Sequence, residues 1–412
     1  MLNRSSLPAP LRLFLFGSLL LTALCGITEV FCKLVLHLHF PYTFPIIDPG
    51  AVSMDLLSLR AHFEHVHQRD FFDVARFAYP APMAIPYVVF FSLPDHARLL
   101  YYSFSALVIV SAGVVFGKEF IRRGMASRTA VLFLVATFLL SYPFWFQLKQ
   151  ANMEIVIFAL IAAGVWSFFR EHFWLAAACF GIAGSMKLFP VVFFGLLVAR
   201  RQFRQIAFGL VVAAAVTVFS LWMLYPSVAY SWKRTNEAVG GFRTDYVLHT
   251  RLDHFFDHSL WAFCKAVFLP AASPEKLSGA ANVYLACVFV LGLGLFFWRI
   301  QQTPFVNQVI CLTAAALLFM PVSFDYTLIQ LYTPWAFLAF VALDSARKGR
   351  RVPGLNAALL CLVFLCAPLT ELIVQGATLE ARLKTLALMA LFAIALRYPF
   401  ALQPTQPAAF DA

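Results

Sequence analysis

Asp55 lies in Val52-Ser53-Met54-Asp55-Leu56-Leu57, and Leu56, Leu59, Phe63 and Val66 follow at helical spacing. That pattern predicts an amphipathic helix along a membrane surface with its carboxylate in the first turn. Such an acid is either an ordinary N-terminal residue favoured by the helix dipole, or a general base for a hydroxyl. Desolvation at a lipid–water boundary raises a carboxylate's proton affinity toward the range a base needs. Lys187 interrupts an apolar run in Gly184-Ser185-Met186-Lys187-Leu188-Phe189-Pro190. Its ammonium either snorkels to the interface or is held at headgroup depth, by the break near Pro190, to meet a lipid phosphate. Gln150, Asn152 and Glu154 share one short turn. Amides both donate and accept hydrogen bonds, which suits sugar hydroxyls, though a plain turn explains them equally well.

Two further stretches carry polar chemistry. Pro321-Val322-Ser323-Phe324-Asp325-Tyr326 sets an acid beside an aromatic ring. The stretch 231–258 gathers Trp232, Lys233, Arg234, Arg243, Tyr246, Arg251, His254 and His258. Singly each charge reads as a solvated loop residue; together they suit a phosphorylated, sugar-bearing lipid. His62, Glu64, His65 and His67 are metal-ligand types, but on a helix only His62 and His65 share a face. They read as the polar surface of an interfacial helix, and no metal or other cofactor is expected.

The elements that must position these groups are almost all apolar. Of the 412 residues, 62% are hydrophobic and 12% charged, against about 25% charged in soluble domains. From Leu99 onward apolar windows follow one another at lengths near the ~20 residues a bilayer requires. The fold class expected is an all-α polytopic membrane protein, one integral domain over residues 1–412. Spans are expected at Leu11–Phe31, Leu99–Phe116, Ala130–Phe146, Ile155–Phe169, Phe173–Met186, Leu188–Ala199, Ile206–Tyr225, Asn282–Trp298, Phe305–Met320, Thr327–Leu343, Leu355–Val374 and Leu383–Leu396, roughly twelve in all. Residues 32–98 are too polar to span and form a first external loop, with Met83–Leu93 a short interfacial or re-entrant segment; residues 226–258 form a second.

The net charge of +11 sits in short loops: Arg122, Arg123 and Arg128; Arg200, Arg201 and Arg204; Arg347, Lys348, Arg350 and Arg351. This is the positive-inside pattern, so the excess reports topology and anionic headgroups, and no nucleic-acid partner is expected. It sets both termini in the cytoplasm of a multi-pass protein of the inner, or plasma, membrane. Asp55, the Lys149–Glu154 turn, Lys187, the loop 226–258 and the Pro321–Tyr326 turn then share the opposite face. The eight cysteines lie mostly in apolar segments, without metal or disulfide spacing.

The ordered series Asp55, Phe77-Ala78-Tyr79-Pro80-Ala81-Pro82, Lys149-Gln150-Ala151-Asn152, the Lys187-Leu188-Phe189-Pro190 motif ahead of Arg200-Arg201, Asp257-His258-Ser259-Leu260 and Pro321-Val322-Ser323-Phe324-Asp325-Tyr326 resembles glycosyltransferase family 87 over about Val52–Pro334. The resemblance implies a GT-C membrane bundle of roughly twelve helices with interfacial helices outside. It also implies a polyprenyl-phosphate mannose donor, a lipid or glycan acceptor, and inverting hexosyl transfer on the external or periplasmic face. Asp55 matches the family's first-loop aspartate and Lys187 its lysine motif. This chain departs from the family with Lys149 for glycine, Asp257 and His258 for asparagine and glutamine, Phe324 for tryptophan and Tyr326 for histidine. The expected roles are Asp55 as general base; Lys187, Arg243 and Arg251 at the donor phosphate; and Gln150, Asn152, Glu154, His258, Asp325 and Tyr326 at sugar and acceptor. Polyprenyl phosphate leaves without protonation, so the site needs a base and cations but no metal. The competing classes are a lipid-linked sugar transporter or flippase, whose polar groups belong near the midplane, and another GT-C or ligase-type transferase.

Overall fold

The computed structural model describes residues 7–37, 53–74, 77–248, 256–270, 272–368, 373–374 and 377–402. Its regular elements among these residues are helices, apart from a ribbon pairing Ile373–Val374 with Ala377–Thr378. The apolar runs become helices, Glu154–Phe169 and Phe173–Met186 at nearly the expected bounds, and Ala9–Leu34, Ala97–Arg122, Phe203–Leu224, Pro274–Trp298, Phe305–Leu318, Tyr332–Arg347, Leu355–Cys366 and Leu379–Arg397 with one or both ends shifted by two to eight residues.

Among the described residues five helices are long and apolar enough to cross a membrane, six if one bent pair counts as a single span. Several others, such as Glu154–Phe169 and Phe305–Leu318, have only 10–17 residues, short of the ~20 that span hydrocarbon at a simple rise. The helices stop early where the sequence supplies a breaker or a polar turn. The run expected over Ala130–Phe146 is divided into Ser127–Leu139 and Tyr142–Gln150, bent by 55°. Ser141 is extended there and Pro143 sits in the first turn of the second helix; proline lacks the N–H that a continuous helix needs. The run after Leu355 ends at Cys366 rather than Val374.

The centre of the bundle is the segment Asp325–Arg347. Its apolar window is 94% buried within the protein, while the other four long candidates are 6–22% buried. Those four present Leu, Val and Phe outward, for instance Val211, Phe289 and Leu291, as helices facing lipid do. Trp335 and Phe340 pack on Phe120, and Trp335 stacks on Phe133. Where Phe173–Met186 meets Phe203–Leu224, a Cβ on Gly181 would collide with the backbone carbonyl of Gly209. The absence of side chains lets two backbones close up, the usual device between membrane helices. Opposite the expected external face, Arg123 is buried between Glu119 at 2.8 Å and Asp344, with its guanidinium over Phe340.

The first loop folds inward. Ser53 takes a left-handed conformation, and the predicted amphipathic helix appears as two pieces, Met54–Ser58 and Arg60–Phe63. Leu56, Leu59 and Phe63 are buried as their spacing requires. His62, expected on the polar outer side of an interfacial helix, is buried against Phe71, because the break at Leu59 rotates the second piece into the core. Met83–Leu93, expected as a short interfacial or re-entrant segment, falls largely in the helix Ala81–Phe91, which buries Met83, Ala84, Tyr87 and Phe90. No group of three or more metal-ligating side chains occurs among the described residues.

Candidate functional site

Three polypeptide turns from distant parts of the chain meet around Glu154. Helix Tyr142–Gln150 ends on Ala151 in a left-handed conformation, which throws Asn152 across the bundle. Tyr101 donates to the Asn152 carbonyl at 2.9 Å, and the Gln147 amide donates to the same oxygen and, at 2.7 Å, to the Tyr101 hydroxyl. With its backbone fixed, Asn152 uses its side chain twice. The amide oxygen accepts from the Glu154 N–H at 2.9 Å, and the amide nitrogen donates to Asp55 Oδ2 at 2.8 Å. The Asp55 segment is held from behind: Ser53 N–H donates to the Lys149 carbonyl at 2.6 Å, and its hydroxyl meets Tyr102 at 2.8 Å.

Burial holds the Asp55 carboxyl above its ordinary proton affinity, and the Asn152 amide and the Lys187 ammonium oppose that shift. Tyr79 lies within hydrogen-bonding reach of Asn152, and its phenol is pushed well above the usual range by burial and then by the Asp55 charge. Asp55 therefore sits beside an amide and near a phenol, only partly open to solvent. A carboxylate poised this way can take a proton from a hydroxyl without being fully hydrated.

Lys187 follows the last turn of Phe173–Met186 in an extended conformation, and its ammonium meets Glu154 Oε2 at 2.5 Å. Glu154 is fully buried, and Gln330 donates to its other oxygen at 2.8 Å. The ammonium also lies 5.2 Å from the Tyr326 ring centroid, and Tyr326 stacks on Phe146. The cation is thus held by a carboxylate on one side and a π-face on the other, with 15% of its side chain still exposed.

His258 and Asp325 form a second, wholly buried centre next to the first. His258 Nδ1 lies 3.1 Å from Asp325 Oδ1, and its Nε2 lies 3.1 Å from the Ser323 hydroxyl. Lys384 donates to Asp325 Oδ2 at 2.5 Å and to Glu380, and its ammonium rests 4.4 Å from the Tyr142 ring. Asp257 accepts from the backbone N–H groups of Ser259 and Ser323 at 3.0 and 2.9 Å, so one carboxylate ties the two turns together.

Of the residues singled out in the sequence, Asp55, Asn152, Glu154, Lys187 and Tyr326 come together, with His258 and Asp325 one layer deeper. Gln150 closes its helix without a side-chain hydrogen bond among the described residues. Arg243 is exposed and donates to Asn282 at 2.6 Å. Arg251 lies outside the described residues. Sequence reasoning did not assign Gln147, Tyr101, Tyr79, Gln330, Glu380 or Lys384. A polar side chain inside an apolar helix was the available signal for Gln330 and Lys384. A pocket of about 240 Å³ lined by Phe168, Arg200, Pro304 and Phe305 lies at the far end of Glu154–Phe169 and touches none of these groups.

No curated protein and no solved structure matches the chain. A family model does: glycosyltransferase family 87 matches residues 77–323. The match opens two residues before Tyr79, takes in Asn152, Glu154, Lys187 and His258, and closes on Ser323, leaving Asp55 and Asp325 on its flanks. It covers more than half of the 412 residues, and the chain accordingly belongs to glycosyltransferase family 87 and is a membrane glycosyltransferase.

Proposed function

We propose that the protein moves a hexose, mannose on the family resemblance, from a polyprenyl-phosphate donor to a hydroxyl of a lipid or glycan acceptor, on the external or periplasmic face of the inner membrane. Roughly twelve apolar helices cross the bilayer in this reading, the shorter ones sharing the polar turns at the external face, with both termini in the cytoplasm. The observation that supports it best is the Asp55–Asn152–Glu154–Lys187 chain, in which a desolvated carboxylate and a partly exposed ammonium are set by one turn.

Asp55 takes the proton of the acceptor hydroxyl as its oxygen attacks the anomeric carbon. The bond from that carbon to the phosphate oxygen breaks, and its electron pair leaves with polyprenyl phosphate. Attack opposite the leaving phosphate inverts the configuration, and the proton stays on Asp55 until it is lost to water. Lys187, with Arg243 and Arg251 from the second loop, balances the charge that gathers on the phosphate. Asn152, Glu154 and Tyr326 border the sugar, with Gln150 at the rim and His258 and Asp325 behind Tyr326.

The test is binding and turnover of a polyprenyl-phosphate mannose by the purified protein, read as release of polyprenyl phosphate. Lys187→Ala weakens donor binding about tenfold, the effect of losing one charge-assisted contact to phosphate. Unchanged donor affinity in a folded Lys187→Ala protein would leave the ammonium as a snorkelling side chain and remove the phosphate reading.

A further inference from the structure

The C-terminal helix Leu379–Arg397 lies beyond the residues matched by the family model, yet it carries the most deeply buried cation in the neighbourhood of the site. Lys384 has no exposed side-chain surface, and its ammonium holds Asp325 and Glu380. One residue on, the Thr385 hydroxyl lies 2.9 Å from the carbonyl oxygens of His258 and of Ala381, its one proton shared between them. Two consecutive side chains therefore grip both turns of the deeper centre, one through the Asp325 carboxylate and one through the His258 backbone.

Asp325 opens the 3₁₀ segment Asp325–Leu331. The next residue, Tyr326, faces the Lys187 ammonium at 5.2 Å, and Gln330, on the same segment, donates to Glu154 at 2.8 Å. The hydrogen bonds of a 3₁₀ segment are poorly aligned, and a seven-residue run is uncommon without outside support, so the position of its first residue bears on where the ring and the amide fall. Replacing a buried charge with its partner left in place is costly, which makes the Lys384–Asp325 contact a firm anchor for that segment.

We propose that Lys384 is a positioning residue for the donor-phosphate centre: through Asp325 it fixes the segment whose Tyr326 and Gln330 orient the Lys187–Glu154 pair. This rests on the reading of Lys187 as the phosphate ligand. Lys384 itself touches neither phosphate nor sugar. The C-terminal helix is on this view part of the site, although it lies outside the matched residues.

The experiment measures, for the full-length protein in nanodiscs, the Kd of a short-chain polyprenyl-phosphate mannose together with the Tm. Lys384→Met keeps the chain length and removes the charge; it weakens the probe about five- to tenfold, most of the effect of a lost charged contact at one remove. Arg299→Gln is the comparison, because Arg299 donates to the Leu396 carbonyl at 3.1 Å and so releases the same helix at its other end. It leaves the Kd within about twofold, as surface substitutions generally do. Thr385→Val removes the hydroxyl that holds the His258 carbonyl without burying a lone charge, and weakens the probe about two- to threefold; it decides the matter if Lys384→Met does not fold. Lys187→Ala is measured alongside. If it weakens the probe while Lys384→Met and Thr385→Val do not, Lys384 has no positioning role. If Lys384→Met and Arg299→Gln weaken it alike, the effect is loose helix packing and the proposal fails. If Lys187→Ala leaves the Kd unchanged, the phosphate reading falls and takes this one with it.

Discussion

At the scale of single residues, the proposed base Asp55 would concentrate both the chemistry and its cost. Burial raises its proton affinity in the folded protein. A carboxyl whose folded pKa exceeds the unfolded value contributes stability below the unfolded pKa, and that contribution is lost as pH rises through the folded one. Near neutrality the ionised form is therefore carried at a loss to stability. Asp55→Asn keeps the Asn152 contact and removes the charge, so it should unfold at an equal or higher temperature near neutral pH. The same variant should lose about 100–10,000-fold in turnover, the worth of a general base. For the native protein the rate should climb with pH through the raised Asp55 pKa and then level. Asp95→Asn, which removes an exposed partner of Arg60, should leave turnover nearly unchanged. If Asp55→Asn turns over normally while Asp325→Asn does not, the base lies in the deeper centre. Turnover assays over a pH series, with thermal unfolding of each variant, separate these outcomes.

At the scale of elements, the close approach of two helices is as constraining as any polar contact. A Cβ on Gly181 meets the Gly209 carbonyl, whereas one on Gly292, in Pro274–Trp298, meets nothing within 4 Å. Gly181→Val should drive Phe173–Met186 away from its neighbour, cost about 1–3 kcal/mol or more, and displace Lys187 at the end of that helix. Gly292→Ala should be neutral or stabilise by up to about 1 kcal/mol. Chemical or thermal unfolding in detergent checks both. The helices themselves were legible in the sequence because apolar length is a local property, and Glu154–Phe169 and Phe173–Met186 fall within a residue of their expected bounds. The bend at Ser141 was not read, although Pro143 marks it. The pairing of Glu154 with Lys187, 33 residues apart, or of Gln330 with Glu154, 176 apart, follows from packing that no periodicity encodes. Asp55 and Lys187 stand out in the sequence because a charge in an apolar setting is visible by itself; Lys384 is equally visible there, but its contacts with Asp325 and Glu380 appear only in the folded chain.

At the scale of the whole molecule, the basic clusters make a prediction about sidedness. In a cysteine-free background, single cysteines at 122, 200 and 350 should label from the cytoplasm, and those at 55 and 243 from the opposite side. Labelling of position 243 only from the cytoplasm would invert the proposed topology. The segment Asp325–Arg347 adds a mechanical consequence. Its first residue is locked to Lys384 and its last turn carries Asp344, locked to Arg123. A buried ion pair broken by withdrawal of one partner costs about 3–5 kcal/mol, and here one such lock stands near each end of the innermost rod. Neither sliding nor tilting of that rod can spare both. A machine that opens alternately to two sides needs a pivot that gives way, whereas this segment is bolted at both ends. Any rearrangement that spares both pairs has to leave this segment where it is, as the fixed frame of the bundle.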